Sequence, residues 1–324
     1  MPAAASRPSI LLSRKLPEAV ERRACRDYDA RLNAEDVALD PAGMSAAAEG
    51  CAGVLVCAAD RVDAETIGRL PESVKIVATF SVGTDHIDLA AARNRGIVVT
   101  NTPDVLTDAT ADIALLLMLQ AARRAGEGER MVRAGQWRGW APTQLMGCHM
   151  TGKAVGIVGM GRIGQALARR ARGFDMTVHY YNRSRLPAEL EAGAVYHDAI
   201  DDLLPHAQFL SLHCPLTPDT RHLIDARRLA LLPEGAILVN TARGPVVHDE
   251  AVIAALRSGR LAAAGLDVYD GEPRVHPGYL PLENVVLLPH LGSATTETRE
   301  AMGFRALDNL DAWFAGKVPG DRVV

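Results

Sequence analysis

No CxxC pair and no metal-ligand spacing connects the five cysteines of this sequence, Cys25, Cys51, Cys57, Cys148 and Cys214. Their odd number and scattered positions argue against a disulfide framework, and they read as free thiols in a reducing compartment. Long hydrophobic runs are missing too. The longest, ADIALLLMLQAA, is too short to span a bilayer and carries Asp112. The amino-terminal MPAAASRPSILLSRK offers only SILL where a signal peptide would need an apolar core. There is no basic stripe and no polybasic segment: the net charge is −4 with both signs scattered, so neither nucleic acid nor a lipid surface is an expected partner. Internal repeats and low-complexity tracts are also absent. These absences leave small molecules and other protein chains as partners, and the cytoplasm as the expected location.

The composition is that of a globular protein with a sizeable core, 48% apolar and 23% charged, and 324 residues suit two domains better than one. In the first half SILLS, GVLVCA, VKIVATF and GIVVTN read as strands, with DAETIGRL and LAAARNRG as short helices between them. Strand–helix alternation predicts a parallel sheet covered on both faces. A helix apolar on nearly all sides follows Pro103, capped by Thr107 or Asp108, and is expected to be buried, either inside the domain or between subunits. The second half offers six strand candidates, KAVGIVG, MTVHYY, FLSLHCP, AILVNTA, AAGLDVY and VVLLPH, which describes a doubly wound nucleotide-binding domain. The closing TTETREAMGFRALDNLDAWFAG reads as one amphipathic helix packing back on the first domain. The expected division is residues 1–103 plus 293–324 for a discontinuous first domain and 104–292 for the second.

GIVGMGRIG places Gly159, Gly161 and Gly164 between a strand and the helical QALARRARGF, the context that turns a common glycine pattern into a dinucleotide-binding signal. Gly159 allows the tight turn, Gly161 the approach of a pyrophosphate, and Gly164 close packing of helix on strand. At the end of the next strand an NAD-binding chain usually carries an acid for the ribose hydroxyls. Here the segment is YYNRSR, with Asn182, Arg183, Ser184 and Arg185, and no acid occurs between Met176 and Ala188. Guanidinium groups attract a 2′-phosphate and Ser184 adds a donor, so NADP(H) is the preferred cofactor, with NAD(H) possible. The plainer alternative is that both arginines are solvated loop residues.

Three further strands end in polar residues, where a doubly wound sheet puts its ligands: NTARGP with Arg243, DVYDGEP with Glu272, and PHLGSA with His290. Together with SVGTDHID, NTPDVLTDATAD, LHCPLTPDT and ATTETR, their wording and order resemble the D-isomer-specific 2-hydroxyacid dehydrogenases over nearly the whole chain. The resemblance implies two Rossmann-like/flavodoxin-like α/β domains with parallel sheets and a cleft between them. It implies that Arg243 clamps the substrate carboxylate, that His290 is the general acid and base, and that Glu272 hydrogen-bonds His290 and orients its ring. Backbone N–H groups around Val82 and Gly83 look like the family's second carboxylate clamp. Further cofactor contacts are implied for Thr107 and for Arg162 and Ile163 in the glycine turn. Others fall on His213, Pro215 and Thr220 in LHCPLTPDT, on Thr241 and Ala242 in NTARG, and on Gly292. Asp267 matches a position that holds the nicotinamide amide, though it could equally cap a neighbouring strand. No metal site is implied.

GQWRGWAPTQLMG and YYNRSR resemble the glyoxylate/hydroxypyruvate reductase subgroup, in which a partner subunit's tryptophan borders the substrate; Trp140 matches it. The expectation is therefore a homodimeric NADPH-dependent reductase of glyoxylate and hydroxypyruvate. An alternative on the same scaffold is a reductase of a bulkier 2-keto acid such as 2-ketogluconate, since loop shape around Leu55, Val82 and Trp140 sets substrate size. A reading of another class is a nucleotide-sensing binding protein like the family's co-repressors.

Overall fold

The computed structural model describes residues 7–324, so the first six residues of the expected first domain, and of the leader reading, lie outside it. The chain divides into two compact units, one running up to Leu106 and resuming at Thr295–Val324, the other Thr107–Ala294.

In the first unit five parallel strands, β1 (Ser9–Leu12), β2 (Asp29–Leu32), β3 (Gly53–Cys57), β4 (Ile76–Phe80) and β5 (Val98–Thr100), stand in the order β2-β1-β3-β4-β5. This is the flavodoxin-like order. The β-branched runs GVLVC and IVATF form the centre because helices cover both faces, leaving no position that favours a polar side chain. Sequence reasoning gave four of these strands and missed β2, whose DARL is polar and mostly exposed. An edge strand with a neighbour on one side has no apolar demand to betray it. The carboxy-terminal helix Thr296–Phe314 starts at Thr295, whose side chain accepts the N–H of Thr298. It brings Ala306, Leu307 and Leu310 into a core with Ile10, Leu12, Val20 and Ile76. A Cβ on Gly303 would lie 2.4 Å from a Val20 methyl, so the missing side chain is what lets this helix approach helix Glu18–Asp27.

The second unit holds seven parallel strands: β6 (Ala154–Val158), β7 (Thr177–Tyr181), β8 (Val195–His197), β9 (Phe209–Leu212), β10 (Ala236–Asn240), β11 (Leu261–Leu266) and β12 (Val285–Leu287). Their order is β12-β11-β10-β9-β6-β7-β8, so the winding reverses between β6 and β9. All carboxyl ends therefore open on one edge, with the switch point at the glycine turn. Six strands were expected and the seventh, β8, is a three-residue edge strand with Val195 exposed. Helix Thr107–Ala122 lies on this sheet through Ala111, Ala114, Leu117 and Met118, all without exposed surface. Its other face is not buried: Leu116 is exposed, and Asp108 and Asp112 pair with Arg169 and Arg170 of helix Arg162–Arg172. Among the described residues no helix is long and apolar enough to cross a membrane.

Candidate active site

The glycine turn joins β6 to helix Arg162–Arg172. Gly159 has φ +96°, and a Cβ there would meet the backbone of His213 and Cys214 at 2.6–2.8 Å, so the turn passes directly over the end of β9. At Gly164 a Cβ would come within 2.4 Å of the Gly159 carbonyl oxygen. Gly161 differs: a Cβ there would meet nothing within 4 Å, leaving open space before the helix start, where backbone N–H groups favour phosphate. Arg162 is exposed and Ile163 half-buried, packed on the core cluster beneath.

At the end of β7, Asn182 Oδ1 accepts the N–H of Met160 at 2.6 Å, tying the loop after β7 to the glycine turn. The two arginines after it part company. Arg185 donates from Nε and Nη2 to the Glu191 carboxylate at 2.8 and 3.1 Å, whereas Arg183 is exposed with no hydrogen-bond or ion-pair partner among the described residues. Ser184 is exposed beside it.

The polar strand ends converge at the other side of the switch point. Arg243 sits on the turn after β10, which Asn240 closes by donating from Nδ2 to the Arg243 carbonyl at 2.9 Å and accepting the Ala242 N–H at 3.0 Å. Arg243 itself donates to the Ala242 carbonyl at 2.8 Å. At the next residue a Cβ on Gly244 would overlap the Tyr269–Asp270 peptide, at 1.9–2.3 Å. This contact seats the Arg243 turn against the segment that carries Glu272. Glu272 Oε2 lies 2.8 Å from His290 Nδ1, and Oε1 accepts the Tyr269 N–H at 2.9 Å. Burial pushes the Glu272 carboxyl up, but the hydrogen bond and charge of His290, the Tyr269 N–H and the Arg243 guanidinium outweigh it, holding the group below the usual range.

His290 has φ +55°, a left-handed conformation that costs a non-glycine residue about 1–2 kcal/mol. Asp267 compensates. Its carbonyl accepts the His290 N–H at 3.0 Å, while Oδ1 and Oδ2 accept those of Leu291 and Gly292 at 2.6 and 2.8 Å. Asp267 thus clamps the turn that carries His290. Burial pushes this carboxyl up against the opposing pull of those N–H groups.

The remaining expected residues fall in several surroundings. Leu55 lies inside β3 with no exposed surface, packed with Ile10, Leu12 and Ile76, so its side chain serves the core and offers nothing to a substrate. Val82 and Gly83 follow β4 in the first unit; Val82 is exposed and its carbonyl accepts Asn101 Nδ2 at 2.9 Å. Trp140 is 82% exposed in the second unit. The Thr220 hydroxyl closes its own loop by donating to the Pro215 carbonyl at 2.7 Å. Thr107 begins its helix, and Thr110 Oγ1 donates to the Gly292 carbonyl at 3.1 Å. Asn240, Glu191 and Tyr269 were not singled out from sequence. Asn240 stands in the quoted NTARG, whereas Glu191 sits outside every motif and its pairing depends on how the chain returns.

The residues fit a nicotinamide dinucleotide. Besides the open face at Gly161, Thr241 Oγ1 and His213 Nδ1 are buried polar atoms with no partner among the described residues, both at strand ends of this edge. No group of three or more His, Cys, Asp or Glu among the described residues is arranged to hold a metal ion.

Comparison with known proteins agrees with this geometry. The sequence model of the D-isomer specific 2-hydroxyacid dehydrogenase NAD binding domain matches residues 115–292. The chain is 46% identical over 313 residues to the glycerate dehydrogenase of Hyphomicrobium methylovorum, covering 96% of this chain and 97% of that one. It is 44% identical to the glyoxylate reductase of Thermococcus litoralis, over 98% and 97% of the two chains. Among solved structures, the NADPH-dependent glyoxylate/hydroxypyruvate reductase of Sinorhizobium meliloti, in complex with NADP and malonate, superposes with a TM-score of 0.88 at 35% identity, covering 98% of this chain and 97% of that one. A nicotinamide cofactor and reduction of a 2-keto acid follow from these relationships together: the chain belongs to the D-isomer-specific 2-hydroxyacid dehydrogenase family and is an oxidoreductase.

Proposed function

We propose that the protein reduces glyoxylate and hydroxypyruvate to glycolate and D-glycerate with NADPH. The observation that carries the reading is the Glu272–His290 pair at 2.8 Å, set on the same sheet edge as the Arg243 turn and the glycine turn. With Nδ1 engaged by Glu272, Nε2 is the nitrogen left to donate a proton to the substrate's carbonyl oxygen. Arg243 supplies a planar cation for the substrate carboxylate. The nicotinamide, when bound, supplies the hydride. Hydride on the carbonyl carbon and a proton from Nε2 on its oxygen yield the 2-hydroxy acid, and the Glu272 carboxylate stabilises the imidazolium before the proton leaves.

Relatives named glyoxylate reductase and glycerate dehydrogenase support the small substrates, and the NADPH-dependent relative supports the cofactor. The unpaired Arg183 guanidinium and the lack of an acid at Asn182 favour a 2′-phosphate. We place the enzyme in the cytoplasm as a homodimer; the exposure of Trp140, Trp137 and Met146 supports a partner surface on the second unit. Val82 and Gly83 complete the proposed substrate contacts, and the first unit is proposed as the substrate domain.

The test is the initial rate with glyoxylate, hydroxypyruvate and 2-ketogluconate, each with NADPH and NADH. The reading expects fast turnover of the two small acids with NADPH. Faster 2-ketogluconate turnover would transfer the assignment to bulkier substrates. Absence of NADPH oxidation with every small 2-keto acid would point to a nucleotide-sensing protein instead.

A further inference from the structure

We propose that Glu191 is a specificity-determining positioning residue: it retains Arg185 in a carboxylate pair and so leaves Arg183 as the one guanidinium of the loop that meets the cofactor's 2′-phosphate. The proposal rests on the NADPH reading and deepens it.

Four segments meet at Glu191, the last residue of the short helix Ala188–Glu191. Its side chain is only 8% exposed, although it is an acid on a short helix beside the outer strands. Oε1 accepts the Tyr180 hydroxyl of β7 at 2.6 Å and Arg185 Nε at 2.8 Å, and Oε2 faces Arg185 Nη2 at 3.1 Å. The Tyr180 hydroxyl in turn accepts the Leu186 N–H at 3.0 Å, and the Arg185 guanidinium lies 5.8 Å over the Tyr196 ring of β8. Arg185 thus ties the loop to β7, through Glu191, and to the edge strand β8.

The asymmetry between the arginines follows from what each would leave behind. If Arg185, whose own side chain is 65% exposed, turned to a phosphate, the Glu191 carboxylate would keep only the tyrosine hydroxyl and lose a two-point, charge-assisted contact. Arg183 leaves nothing. It directly follows Asn182, which is fixed to the glycine turn, and it is exposed with no partner among the described residues. Two identical side chains in RSR therefore have different duties, a phosphate ligand and a brace, and the acid that separates them lies beyond the loop.

The experiment measures the dissociation constants of NADPH and NADH, by nicotinamide fluorescence, for the wild type, Arg183→Ala, Arg185→Ala, Glu191→Gln and the Arg183→Ala/Glu191→Gln double variant. Loss of a charge-assisted phosphate contact should weaken NADPH by about 10- to 100-fold in Arg183→Ala, with NADH unchanged. Arg185→Ala should weaken both cofactors together and keep their ratio. Glu191→Gln should raise the NADPH preference, and the double variant should recover part of the preference lost in Arg183→Ala, because the released Arg185 can then reach the phosphate. A purely structural Glu191 would give no such recovery. The proposal is overturned if Arg185→Ala abolishes the preference as Arg183→Ala does with NADH binding intact, or if the double variant recovers nothing. It also falls if Arg183→Ala leaves a strong wild-type preference untouched, while the NADPH reading survives. A wild type that binds both cofactors equally overturns the NADPH reading, and the proposal with it.

Discussion

Asp267 holds His290 through three consecutive backbone N–H groups: its carbonyl takes that of His290, and its two carboxylate oxygens take those of Leu291 and Gly292. The imidazole proposed to move the proton is thus placed by one side chain and oriented by another, Glu272, on the same stretch of chain. Both residues follow β11 and His290 follows β12, so the reactive geometry depends on the pairing of these two neighbouring strands.

Replacing Glu272 by Gln keeps the shape of the contact but removes its charge. An amide can still accept the Tyr269 N–H, but its NH2 then faces His290 Nδ1 and selects the other tautomer. We expect kcat to fall by about 100-fold, the scale of acid–base assistance, with NADPH affinity unchanged. Because the Glu272 carboxyl is held below its usual range, the wild-type charge is lost only in acid, as pH falls through that depressed pKa. Steady-state kinetics over a pH series would expose an unaltered kcat, which would remove the pair from the mechanism.

Arg243→Lys tests the planar fork. A lysine keeps the charge but cannot bind a carboxylate through two parallel N–H groups, so KM for glyoxylate should rise by about 10-fold or more with cofactor binding intact. An unchanged KM would count against the clamp.

The two glycines Gly244 and Gly161 should respond oppositely to alanine. At Gly244 the new methyl would overlap the Tyr269–Asp270 peptide, which has no flexible end to yield, so a loss of about 3 kcal/mol or more is expected in thermal or denaturant unfolding. At Gly161 the methyl meets no protein atom within 4 Å, so stability should hold while NADPH affinity falls. Equal losses of stability would refute the assignment of that open space to the cofactor.

His213 gives the fold a pH dependence. Burial lowers its imidazole pKa to about 4 from the ordinary value of about 6.5, so between these values the unfolded chain binds a proton that the folded one does not. Stability is therefore undiminished above about pH 6.5 and declines as pH falls toward about 4, by on the order of 3 kcal/mol in total. In His213→Gln the acid limb of a stability–pH curve should flatten; an identical slope would assign the loss to other groups.

Much of the candidate site was readable from sequence because its residues stand at strand ends. A parallel sheet delivers the residues after each strand to one edge, so GMGRIG, NTARG, the segment with Glu272 and PHLG each needed only a strand before them to be placed. The central strands were equally plain, since a run such as AILVN has no exposed face. What escaped notice was set by tertiary neighbours. β2 and β8 are edge strands without an apolar pattern, and Leu55 is fully buried among Ile10, Leu12 and Ile76, a packing that its place in GVLVCA does not reveal. The partner of Arg185 could not be read from YYNRSR, because Glu191 reaches it only after the chain has turned through a short helix.

Asn182 carries a consequence for how cofactor use can change in this lineage. Its Oδ1 is what the glycine turn rests on, through the N–H of Met160, and an aspartate offers the same oxygen in the same place. Exchanging one nitrogen for one oxygen would leave that support standing while placing a negative charge where the proposed function puts the ribose. On the proposed cofactor reading the glycine turn would be supported equally well by either side chain, and the charge at this one position, set against Arg183 next to it, is where a choice between dinucleotides would be made.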